Sequence, residues 1–185
     1  MRFSILIFIA PLLFFSCKQQ SEISSDFNCT TTAFNNLEEI VDVKKTFSVK
    51  FPKTWKTKLF YDAAQSSIFT ADSAKQLTET LLLDITYINK SINFDNVFKL
   101  KQEQESLSKN LIQTTSKEIK LLNSPSYYTV SKGKKRTFTY QVCNVFIKLN
   151  KNNFILAKTD IYGDSLVQER MCEAFSLIEK IKITQ

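Results

Sequence analysis

The 185-residue chain carries 25 Lys and Arg against 18 Asp and Glu, a formal net charge of +7, with no histidine and only two glycines. The missing imidazole excludes Ser-His and Cys-His nucleophile pairs, imidazole acid-base catalysis and histidine metal ligation. Two isolated glycines, Gly133 and Gly163, exclude a P-loop, a Rossmann fingerprint and a G-x-S-x-G elbow.

The chain opens with a charge at Arg2, continues through the apolar run Phe3 to Phe15, and turns polar after Ser16-Cys17 at Lys18-Gln19-Gln20. That is the order of a secretory signal peptide, too short for a membrane span of about 20 residues. The small residue followed by cysteine resembles the lipobox of bacterial lipoproteins, although Phe14 stands where leucine is usual. The resemblance implies cleavage after residue 16 and acylation of Cys17 with palmitate-type chains, making it the membrane anchor. The alternatives are an ordinary signal peptide with an incidental cysteine, or an uncleaved anchor. Expected segments are therefore a signal peptide at 1–16, a lipidated N-terminus and polar tether at 17–33, and one domain at 34–185. Cleavage leaves about 170 residues, enough for a sizeable core. It removes only Arg2 among the charged residues, so the charge falls from +7 to +6. Nucleic acid is not expected as a partner of an exported protein, and "KGKKR", Lys132 to Arg136, reads as a solvated hairpin tip.

With Cys17 acylated, Cys29, Cys143 and Cys172 remain, which permits one intramolecular disulfide. Cys29 with Cys172 is the preferred pair, and three buried thiols are the alternative. No C-x-x-C spacing marks a redox or zinc site, and neither metal nor cofactor is expected.

Period-two segments dominate the rest of the chain. "TFSVKF" alternates Phe47, Val49 and Phe51 with polar residues and closes at Pro52. "WKTKLFY", "SSIFTA" and "TLLLDITYI" are further strands, while "NNLEEIVDV", Asn35 to Val43, is open between helix and strand. From Phe94 to Gln113, the apolar positions Phe94, Val97, Leu100, Leu107 and Leu111 predict an amphipathic helix. "SYYTVSK", "RTFTYQVCNVFIKL" and "NFILAKTDI" form a predicted meander, with turns at Lys132-Gly133 and Asn150 to Asn153. In the middle strand the apolar residues change face near Cys143, which predicts a bulge or a swap of the buried face. A second helix follows Gly163 with Asp164 as N-cap and Val167, Met171, Ala174, Phe175 and Ile178 as its stripe, before a closing strand at "EKIKI".

The pattern predicts an α+β domain, an antiparallel sheet meander covered by two amphipathic helices. The run "FSVKFPKTWK", Phe47 to Lys56, resembles the opening of PsbP-like domains, where a strand ends in proline and a tryptophan follows. The order of elements from Thr46 to Ile183 is similar too. The resemblance implies an accessory or binding role and brings no catalytic residues.

Carboxylate pairs remain as candidate acid-base groups. Glu38-Glu39, Glu103 with Glu105, and Asp160 with Asp164 are the pairs; Glu103 and Glu105 read more simply as a solvated helix face, and a cap explains one of Asp160 and Asp164. Asp84 lies within an apolar strand, where burial would raise its pKa, and is expected to face water. Trp55, after a proline near a loop, is the one aromatic considered for recognition, against a packing role.

The reading is a non-enzymatic cell-envelope lipoprotein, anchored by its lipid, that binds an unknown envelope protein. Lys18 after the cysteine, with no acidic pair, points to the periplasmic face of the outer membrane. The alternative is a carrier of an apolar small molecule in a pocket between helix and sheet. A carboxylate hydrolase through Asp84 or Asp160 is the third reading.

Overall fold

A computed structural model describes residues 20–30 and 32–184. The expected signal peptide and Cys17 lie outside the described residues. Helix α1 (Glu22–Asp26) is followed by strands β1 (Leu37–Val41), β2 (Phe47–Pro52), β3 (Lys56–Tyr61), β4 (Gln65–Ala71) and β5 (Leu81–Ile88). Then come helix α2 (Asn96–Leu107), strands β6 (Leu111–Leu121), β7 (Ser124–Lys135), β8 (Phe138–Lys148) and β9 (Phe154–Tyr162), helix α3 (Val167–Ile178) and strand β10 (Lys182–Ile183).

The strands form two antiparallel sheets. The larger has the order β3-β4-β5-β9-β8-β7-β6 and the smaller β1-β2-β10. β9 inserts between β5 and β8, so the large sheet is joined at its centre by strands distant in sequence. One face of this sheet packs on α3, α1 and the small sheet. Leu83, Ile85, Val145, Ile147, Ile155 and Ala157 meet Phe47, Val49, Phe51 and Phe175 there, all within 1% of complete burial. α3 drives Met171, Ala174, Phe175 and Ile178 into this core along the stripe expected from sequence.

Several expectations need correction. The strand around Cys143 has no bulge, because β8 pairs in unbroken register with β7 and β9. Its apolar residues change parity because both faces are covered: Cys143, Val145 and Ile147 lie in the main core, and Tyr140, Val142 and Phe146 pack on the opposite side. The register shift falls instead between Gln113 and Thr115 of β6, an edge strand, where bulges concentrate. The β7–β8 turn is at Arg136-Thr137, not Lys132-Gly133. Gly133 lies inside β7 opposite Leu111 and Tyr140, where an added Cβ would stand 2.5 Å from the Asn110 carbonyl oxygen. The N-cap of α3 is Leu166 in the left-handed region (φ 47), and Asp164 instead accepts a hydrogen bond from the Thr139 hydroxyl.

The stretch expected as tether also differs. From Ser21 to Cys29 it lies on the domain. Ser21 caps α1, Ile23 is buried, and Phe27 meets Phe175 and Tyr128 edge-on at centroid distances of 4.9 and 5.8 Å. Cys29 and Cys172 are joined by a disulfide, and Cys143 is free and buried. A short polar segment with only two large apolar residues folds here because both of them enter a core built by the rest of the chain.

With few glycines, the chain places other residues in the left-handed region. Leu122 and Asn123, at φ 50 and 61, make the two-residue β6–β7 hairpin turn, and Asn28, Asn36 and Asn110 take positive φ at other bends.

Candidate functional site

The helix read from Phe94 to Gln113 is shorter and faces the other way. α2 starts at the Asp95 cap, whose carboxylate accepts the Phe98 N–H at 2.9 Å, and the chain enters β6 by Leu111. Val97, Leu100 and Leu107 point to solvent at 78%, 55% and 54% exposure. The inward face instead carries the buried polar residues Gln102 and Ser106. α2 is therefore not the apolar cover that its spacing predicts. It meets the sheet at two places. Near its start Phe98 stacks edge-on on Phe146 at 5.1 Å, and near its end Ser106 Oγ shares a hydrogen bond of 2.9 Å with Ser131 Oγ.

Between these supports lies a cleft of about 590 Å³, within the roughly 300–1,000 Å³ of small-molecule sites. Its floor is the face of β8 and β9 turned away from the main core, with Tyr140, Val142, Asn144, Phe146, Phe154 and Leu156. α2 forms one wall, and the loop Lys90 to Asn93 closes one end. The strands present these side chains together because alternate residues of paired strands share a face, as the pairs Asn144–Lys158 and Phe146–Leu156 do.

The rim is basic. Lys90, Lys101, Lys109, Lys135 and Lys158 line the cleft, and Glu105 is its single lining carboxylate. Lys101 lies 3.9 Å from Glu105, and Lys158 is paired with Asp160 at 2.8 Å. Lys135 donates to Tyr162 Oη at 2.8 Å and lies over the Tyr140 ring at 4.9 Å from its centroid. The Tyr140 hydroxyl donates to Asp160 Oδ1. Burial, reinforced by that carboxylate, holds the Tyr140 phenol protonated well above the ordinary tyrosine range.

Asp84 is half-buried, a correction to the expectation that it faces water. Burial raises its pKa, opposed by the Thr86 hydroxyl that donates to it at 3.1 Å and by Lys158. Neither Asp84 nor Asp160 is among the residues that line the cleft. Glu103 and Glu105 stand on the exposed surface of α2, as expected of a solvated face. Glu38 is exposed on β1, and Glu39 beside it is held below the ordinary glutamate pKa by the Ser48 hydroxyl and then by Lys182. Trp55 is half-buried, its ring edge-on to Phe34 at 6.0 Å, so most of its contact is packing. Among the described residues no group of three His, Cys, Asp or Glu side chains is placed to hold a metal ion, and no helix is long and apolar enough to cross a membrane.

No motif in the sequence marks the cleft residues singly. Their signal is the second apolar parity of "RTFTYQVCNVFIKL", which marks a strand with two covered faces.

No family model and no curated protein matches the chain. Solved structures match its fold. A protein from Bacteroides thetaiotaomicron aligns with a TM-score of 0.54 at 9% identity over 81% of this chain; the chain spans about half (49%) of that protein's length. The cyanobacterial PsbP protein of Synechocystis sp. PCC 6803 aligns with a TM-score of 0.54 at 9% identity, covering 84% of this chain and 97% of that one. The Ran-binding protein Mog1p of Saccharomyces cerevisiae aligns with a TM-score of 0.53 at 7% identity, covering 80% and 95%. The chain thus has a PsbP-like fold, an antiparallel α+β architecture, and at these identities the likeness extends to the fold alone.

Proposed function

We propose that this protein is a non-enzymatic binding module of the cell envelope that holds a small, largely apolar molecule in the cleft under α2. One observation carries the reading: a cleft of about 590 Å³ with an aromatic floor, under a helix that turns Phe98, Gln102 and Ser106 inward and leaves its aliphatic residues in solvent. A helix serving only as a cover would turn Val97, Leu100 and Leu107 inward and close the space. Native mass spectrometry of the full chain after gentle extraction tests it. A stoichiometric ligand is expected, lost when Phe146 is replaced by Asp in a chain that still melts cooperatively. A chain that never retains or takes up any ligand overturns the reading.

The apolar run ending at Ser16-Cys17 supports attachment through lipid on Cys17. More than one acyl chain on that residue gives stable attachment where a single chain does not. Lys18 and the lack of an acidic pair after the cysteine favour the periplasmic face of the outer membrane. Incorporation of a clickable fatty acid into wild type but not into Cys17→Ala is the expected result, and equal labelling of both sinks the anchor.

A second reading, docking to an envelope protein, is supported by edge strand β3. Leu59, Phe60 and Tyr61 are 42%, 54% and 65% exposed there, and among the described residues β3 pairs only with β4. An open edge with apolar side chains is a template for a partner strand. Mog1p, of similar fold, is a Ran-binding protein, a precedent for protein binding by this architecture. Crosslinking in cells, comparing wild type with Phe60→Lys, is expected to recover a partner from wild type alone; recovery from both removes the support from β3.

A further inference from the structure

The cleft is polarised along its length. α2 runs antiparallel to β8, since Phe98 near its start meets Phe146, and Ser106 near its end meets Ser131, the partner of Val142. Beyond the helix, Lys109 and Leu111 carry the lining on to Tyr140. The six strand steps from Phe146 to Tyr140 span about 20 Å. The floor at the Phe146 end is apolar, with Ile92, Phe98, Phe154 and Leu156 around it. The Tyr140 end carries Lys109 and Lys135, with Lys158 midway and Lys90 at the opposite mouth.

The charge here is one-sided. Among the described residues, no carboxylate lies within 4.0 Å of the Lys90, Lys109 or Lys135 ammonium groups. Five lysines against one carboxylate around an apolar floor is the inverse of a site for a cation. It is also more charge than a purely apolar guest requires, because polar groups in such sites fix orientation and select the ligand.

On the premise that the α2 cleft is the binding site, we infer that its ligand is an elongated anionic amphiphile. Its alkyl chain lies over Phe98, Phe146, Phe154 and Leu156, and its carboxylate or phosphate head meets Lys109 and Lys135 at the Tyr140 end. Tyr140 Oη is committed to Asp160, while the Lys135 ammonium gives one N–H to Tyr162 Oη and keeps two, so Lys109 and Lys135 are the donors to the head group. Asn144 and Gln102, between the two ends, offer amide groups to polar atoms along the chain.

The test uses washed membranes holding the full chain and three photoreactive probes with one diazirine-bearing alkyl chain: a fatty acid, a monoalkyl phosphate and a fatty alcohol. Crosslinked sites are read by peptide mapping. The acid, the phosphate or both are expected to label the peptides containing Phe98 and Phe146 at concentrations about tenfold below the alcohol. Which of the two labels better identifies the head group. The double variant K109E/K135E is expected to abolish that preference, weakening acid and phosphate labelling more than alcohol labelling; a preference that survives it overturns the assignment of the head group to these lysines. Both lysines are exposed, so the variant keeps the fold, as an unchanged melting curve checks. Equal labelling by all three probes, insensitive to charge reversal, overturns the anionic ligand and leaves the cleft as the site. No labelling of the cleft by any probe overturns both.

Discussion

Reducing the Cys29–Cys172 bond reports how far the first and last helices are coupled. The bond closes a loop spanning a sequence separation of 143, nearly the whole domain. Chain-entropy arguments give such a loop about 5 kcal/mol of stabilisation as a ceiling, and removal of native disulfides costs about 2–5 kcal/mol. α1 is also held by Ile23, by the contacts of Phe27 with Phe175 and Tyr128, and by Lys117 at 2.7 Å from Asp26. Those contacts survive reduction, so the native state itself changes little and the loss is carried by the unfolded chain. We expect a loss of about 3–5 kcal/mol, which at a urea slope of about 2 kcal/mol/M lowers the midpoint by about 2 M. The assay is urea unfolding of oxidised protein, reduced protein and the Cys29→Ala/Cys172→Ala variant, followed by near- and far-UV circular dichroism. In the folded state complete burial pushes the Cys143 thiol pKa up and keeps it a poor nucleophile for exchange; unfolding exposes it, so all three samples carry Cys143→Ser. A midpoint that moves by less than a quarter of that amount, with fast hydrogen exchange confined to residues 20–30, contradicts this coupling. It would mean that α1 peels away alone and contributes nothing to global stability.

Gly133→Ala is expected to cost about 1–3 kcal/mol in the same unfolding assay, because its Cβ meets the Asn110 carbonyl oxygen at 2.5 Å and Leu111 Cδ2 at 2.8 Å; an unchanged midpoint contradicts the close packing of β6 on β7. Arg170 is buried and donates to the carbonyls of Thr80, Tyr162, Gly163 and Ser165, so Arg170→Ala is expected to lose about 2–4 kcal/mol, leaving the buried Thr80 carbonyl without a donor and a space where the side chain packs. Asp84 gives a pH dependence whose sign is fixed. Its folded pKa is raised above the ordinary 3.8, so the folded state holds the proton more tightly, and stability falls as pH rises from there through the folded value. Asp84→Asn is therefore expected to be more stable than wild type at pH 7, with the difference vanishing at pH values below 3.8; a variant less stable at pH 7 contradicts the desolvation of this carboxylate.

Local pattern makes some of this protein legible. Phe47, Val49 and Phe51 alternate and end at Pro52, and they form β2 because a half-buried strand needs no more than that period. The stripe of α3 is readable because its burial is one-sided and apolar, and so is the run of strands that makes an α+β domain with a PsbP-like fold. β6 escapes such a reading. Its sequence LIQTTSKEIKL buries little along most of its length, as an edge strand does, and the apolar spacing upstream runs into it as if the helix continued.

Composition alone sets the chemistries open to this chain: no histidine, two glycines, an excess of lysine and a cysteine at the end of an apolar run. Where those lysines act, and which faces are covered, is settled by the packing of the folded chain. Periodicity states that a residue shares a face with others, but it does not state what lies opposite. The helix α2 buries Gln102 and Ser106 and exposes Val97 because Ser131 and Phe146, far along the chain, are the groups it meets. The pairing of β9 between β5 and β8 sets that meeting, and with it the cleft, through contacts between segments distant in sequence.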